Sequence, residues 1–108
     1  MLRFIVSALM AAAPLAVLAA DVPEFTTTIQ DHRFAPAETT IPANTKVKLI
    51  VVNKDATAEE FESQDLGREK IVTGNASISV FVGPLKAGRY RFFGDFHQDT
   101  AQGVLVVH

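Results

Sequence analysis

The chain reads as an all-β protein, one small sandwich of about seven short strands. Three observations predict this. Apolar and β-branched runs recur along residues 21–108, split by Gly, Pro, Asn and Asp turn formers. One of them, VKLIVVN from Val47 to Asn53, is apolar enough for a central strand. No stretch carries several turns of helical periodicity. ATAEEFESQDLGREK holds helix formers enough for a single turn.

The first element is a leader rather than a strand. MLRF supplies one positive charge at Arg3, and FIVSALMAAAPLAVLAA is an apolar run that ends in small residues. This is the layout of a cleaved secretory signal peptide over residues 1–20, with the cut after Ala20 and a periplasmic destination. The run is short for a membrane span and Pro14 interrupts it. Residues 21–108 then form a single domain. FTTTI (Phe25–Ile29) is a strand. DHRFAPAETTIPANTK holds two prolines around an extended piece at Thr39–Ile41. After the Val47–Asn53 strand, KDATAEEF is polar and reads as a loop. Glu69–Val72 is a short strand, Thr73-Gly74-Asn75 a turn, and ASISVFV (Ala76–Val82) alternates as a half-buried strand. GPLKAG turns the chain into RYRFFG and GVLVV, the last two strands.

Composition narrows the chemistry. There is no Cys, and both methionines, Met1 and Met10, lie in the leader, so the mature chain holds no sulfur. It must fold by packing, without disulfides. A bound metal has only imidazole, carboxylate, carbonyl or water to draw on. Removing the leader takes Arg3 and leaves nine Lys+Arg against twelve Asp+Glu, a formal charge of about −3. That balance argues against nucleic acid as a partner. No Gly-rich phosphate loop and no nucleophile setting around Ser63, Ser77 or Ser79 supports a hydrolase or a transferase.

Several motifs then fall in one order. Phe34-Ala35-Pro36 follows the first strand, V-x-L-x-V-x-N-x-D runs from Val47 to Asp55, and GPLKAGRY-x-FF leads from Gly83 to Phe93. A His-bearing loop and GVLVV close the chain. Over the whole mature chain this resembles the cupredoxin fold, a Greek-key β-sandwich. DHRFAP, EEFES, REK and FFGDFHQDTAQG look like the cupredoxin-like periplasmic proteins of bacterial ferrous-iron uptake, the EfeO/Ftr type. The resemblance implies a metal-binding accessory role. Such a protein would assist Fe(II) oxidation, with a periplasmic iron-binding protein and a membrane iron permease as partners. The departures are specific. With His97 on the family's closing His, Gly94 stands where the copper thiolate belongs and Ala101-Gln102 near the Met. The upstream His is replaced by Glu59 and Glu60. No blue-copper site can form.

The remaining ligands are hard to borderline, suited to Fe or Cu(II). Glu60 and Glu62 share one strand face, flanking an inward Phe61. Asp95, His97 and Asp99 share a face if their stretch is extended. The resemblance brings the two loops to one end of the sandwich. The expected metal ligands are Glu60, Glu62, Asp95 and His97, with His32 and Glu69 next. His32 either joins that site or forms a second one, with Asp31 and Glu69 near it and Glu69 turned inward. Glu59 reads as a plain surface acid, and Asp55 as a position outside the site. The competing expectation is a metal-free sandwich acting through protein contacts alone.

Overall fold

The computed structural model describes residues 21–108; the expected leader and its cut lie outside them. Nine strands form two sheets: β1 (Glu24–Gln30), β2 (Arg33–Ala35), β3 (Glu38–Ile41), β4 (Val47–Asn53), β5 (Glu59–Ser63), β6 (Arg68–Val72), β7 (Ser77–Val82), β8 (Gly88–Gly94) and β9 (Gln102–Val107). One sheet has the order β2-β1-β4-β7, the other β3-β9-β8-β5-β6. The all-β sandwich is as expected. Among the described residues no helix is long and apolar enough to cross a membrane.

Alternation builds the core. Every second residue of β4 and β5 is buried, because strand side chains point alternately to the two faces. Ile29, Leu49, Val51, Val80 and Leu105 fill the space between the sheets. Toward one end lie three aromatic rings. Phe34 sits edge-on to Phe92 at 4.9 Å, and Phe61 lies 5.1 Å from Phe92.

Two readings of the sequence need correction. KDATAEEF is not all loop, because Glu59 and Glu60 open β5, which pairs with both β6 and β8. Partners on both sides make a strand of a segment whose local polarity signals a loop. Residues 95–97 are not extended. They form one 3-10 turn, Asp95–His97, so Asp95 and His97 leave the chain in different directions.

Candidate metal centre

Three loops meet above the phenylalanines. His32 lies on the β1–β2 hairpin, Glu59 opens β5, and His97 ends the 3-10 turn after β8. Each is set by a buried aromatic ring nearby on its own segment. Phe34 follows His32 by two residues, Phe61 follows Glu59 by two, and Phe92 precedes the turn. Glu59 therefore shares the inward face of Phe61.

Glu59 is the centre of the group and is 1% exposed. Its Oε1 accepts the backbone N–H of Phe96 at 2.8 Å and of Glu60 at 3.0 Å. Its Oε2 lies 2.5 Å from His97 Nδ1. A buried carboxylate needs such partners. The His97 ring stacks on the His32 ring, with centroids 3.6 Å apart and planes 17° apart. His32 Nδ1 in turn lies 3.5 Å from Asp55 Oδ2. One ligand atom from each of His32, Glu59 and His97 falls within 4.8 Å of the others. A carboxylate with two imidazoles is a donor set for a divalent transition ion.

The other expected ligands form a separate group. Glu60, Glu62 and Asp95 also bring ligand atoms within 4.8 Å of one another, on the outer face of the five-stranded sheet. Glu69 belongs here. It stands opposite Glu62 in the β5–β6 register, close enough for a protonated Glu60 to share a hydrogen bond with it. Desolvation first, then that hydrogen bond and the charges of Glu69, Asp95 and Glu62, push the Glu60 carboxyl up to about 7. Asp99 lies in the turn after His97 and is exposed.

The expected single set of ligands is thus divided. His97 and His32 go to the inner group, while Glu60, Glu62, Asp95 and Glu69 go to the outer one. Glu69 is neither inward nor grouped with His32. Register puts Lys70, not Glu69, on the face of Phe61. Glu59 is buried between His97 and the Phe96 N–H and is not a surface acid. The same period-two argument that sends Phe61 inward sends Glu59 with it. Asp55 is also part of the assembly. The N–H groups of His32 and Asp31 donate to its carboxylate. Led by the His32 N–H, they hold its carboxyl below the ordinary value despite desolvation.

A blue-copper centre does not fit these residues. A Cβ placed on Gly94 would lie 2.5 Å from Glu59 Cδ and 2.7 Å from Ala101 Cβ. The Glu59 carboxylate takes the space a thiolate at Gly94 would need.

Known proteins agree with this architecture. Auracyanin A, a blue copper protein from Chloroflexus aurantiacus, superposes with a TM-score of 0.71 at 17% identity, over 82% of this chain and 100% of its own. Amicyanin from Paracoccus versutus gives 0.62 at 20% identity, over 86% of this chain and 87% of its own. The metal-binding domain of the Streptococcus pneumoniae Cu(I)-exporting P-type ATPase CopA, solved with Cu(I), gives 0.70 at 12% identity, over 84% and 90%. An uncharacterized protein of Rickettsia prowazekii is 56% identical over 81 residues, 75% of this chain and 65% of that protein. The chain therefore spans less than two thirds of that relative's length. The family model described as Cupredoxin-like domain matches residues 1–107, and the chain belongs to that family.

Proposed function

We propose that this protein is an exported, periplasmic metal-binding accessory of iron uptake, with His32, Glu59 and His97 as its metal site. The observation that carries the reading is a buried carboxylate and two stacked imidazoles whose ligand atoms all lie within 4.8 Å. Fe or Cu(II) suits this donor set better than Cu(I) does. Bound there, Cu(II) would supply a one-electron acceptor.

The chain's own residues supply the rest. Glu59 Oε2 and His97 Nδ1 share a proton in the metal-free protein, and an ion held by both would displace it. Glu60, Glu62, Asp95 and Glu69 form an acidic rim beside the inner group. Such a rim raises the local concentration of cations. Carboxylates favour the more highly charged ion, so Fe(II) cargo is easier to oxidise here. Cu(II) held by His32, Glu59 and His97 would be the acceptor for the one electron that Fe(II) at the acidic rim would lose in becoming Fe(III). A periplasmic iron-binding protein and a membrane iron permease are the proposed partners.

The test is titration of the 21–108 chain with Cu(II), Mn(II) and anaerobic Fe(II), followed by heat and melting temperature. We expect micromolar or tighter binding of at least one ion, weakened about tenfold or more in His97→Ala. Unchanged affinity in that variant would remove His97 from the site. A metal-free interaction module is the second reading. It is favoured by the complete pairing of Glu59 within the protein and by Phe96, 48% exposed beside the site. Absence of binding by all three ions would select it.

A further inference from the structure

The β1–β2 hairpin presents His32 by an unusual route. Gln30 pairs with Arg33, so Asp31 and His32 alone form the turn. Both have positive φ, 53° and 57°, the geometry of a mirror-image hairpin turn. Asn and Gly suit such a turn best, whereas His has a side chain with nothing local to fix it. Something beyond the hairpin has to set its direction.

Two loops from elsewhere do this. Asp55, after β4, takes the N–H of Asp31 on Oδ1 at 2.9 Å and the N–H of His32 on Oδ2 at 3.0 Å. The same Oδ2 lies 3.5 Å from His32 Nδ1. Thr100, after the 3-10 turn, donates its hydroxyl to the His32 carbonyl at 2.6 Å. Asp55 is itself held, with its N–H on Asn53 Oδ1 at 3.0 Å and its carbonyl receiving the Asn75 N–H at 2.9 Å. The Asn53 side chain is anchored in turn on the carbonyls of Thr57, Val72 and Thr73. The end of β4 is thereby tied to the hairpin histidine.

We infer that Asp55 is the positioning residue of the metal site: its carboxylate latches the β1–β2 turn and holds the His32 ring on His97, with Nδ1 toward Asp55 and Nε2 free. The consequence for affinity rests on the proposed metal-site reading; the latch does not. An outer carboxylate that fixes a ligating imidazole has an effect of about 10–100-fold on metal affinity. The carboxylate has no other hydrogen-bond partner among the described residues than this turn, so its removal leaves the sandwich core untouched.

The test has two arms. In metal-free protein, NMR follows the cross-ring contact between the His32 and His97 imidazole protons and the ring-nitrogen shifts of His32. Asp55→Ala is expected to abolish the contact and the wild-type His32 ring-nitrogen shifts, and Asp55→Asn, which keeps one acceptor, to retain part of each. Persistence of both in Asp55→Ala would overturn the latch. In the second arm, Cu(II) affinity is measured for Asp55→Ala, His32→Ala and the double variant. Each single change is expected to weaken binding about tenfold, and the double no further, because both remove one oriented imidazole. Additive losses would place Asp55 in another role. A wild-type chain that ignores Cu(II), Mn(II) and Fe(II) yet loses the ring contact in Asp55→Ala would sink the metal reading and keep the latch.

Discussion

Glu59 shows how one buried side chain can organise a cluster of loops. Its carboxylate is buried, receives two backbone N–H groups and meets His97. Glu59→Ala strands the Phe96 N–H and opens a cavity, a loss of about 2–5 kcal/mol. Urea unfolding would read it. Glu59→Gln keeps the volume and should cost less, while still weakening metal binding. Gly94 is bound to the same carboxylate by space. Gly94→Cys alone should therefore destabilise the fold and give no strong blue band with Cu(II), because the new Cβ meets Glu59 Cδ at 2.5 Å. An intense absorption from the single variant would show that Glu59 yields easily. Of the site, both histidines were legible, since they are the only imidazoles within the folded part of the chain other than terminal His108. Glu59 was legible in principle through Phe61. Asp55 was not, because its role depends on a turn 23–24 residues earlier in the chain.

The strands were readable where an apolar run was long, as in β4, or alternation was strong, as in β7. β5 was hidden by two adjacent glutamates whose opposite faces meet different environments. On the outer face, β5, β6 and the 3-10 turn bring Glu60, Glu62, Glu69 and Asp95 together. Glu60 keeps its proton up to about pH 7 in the folded state against an ordinary value of 4.5. The sign follows from linkage: above 4.5 the unfolded chain releases that proton first, so folding loses stability as pH rises toward 7. Glu60→Gln should flatten this part of the melting-temperature profile, and an unchanged slope would assign it to other groups. Across the gap between the sheets, Arg68 Nε and Lys70 Nζ donate to the Phe81 and Ser79 carbonyls of β7. Cations at a free strand edge oppose edge-to-edge pairing. The Arg68→Ala/Lys70→Ala variant should melt within a few degrees of wild type and yet self-associate more in light scattering. An equally monodisperse variant would deny these residues that guarding role.

The sandwich joins its two sheets through one apolar core and places the site at an end where three loops converge. A metal that bridges His32, Glu59 and His97 therefore bridges segments far apart in sequence, and none of these is near another in the unfolded chain. Binding must then favour the folded state alone. At a free concentration of 100 times Kd the gain is about 2.7 kcal/mol. For a domain of this size each kcal/mol shifts Tm by about 4–8 °C, so a rise of about 10–20 °C is expected at saturation. A chelator should reverse it. Protons compete for the same imidazoles and carboxylate, so the rise should shrink as pH falls. The Glu59→Gln/His97→Ala variant distinguishes the inner and outer ligand groups. If the inner group holds the ion, this variant loses the metal-induced rise although Glu60, Glu62 and Asp95 remain. If the rise survives, the outer face holds the ion, and the buried Glu59–His97 pair is a structural tie between β5 and the closing loop.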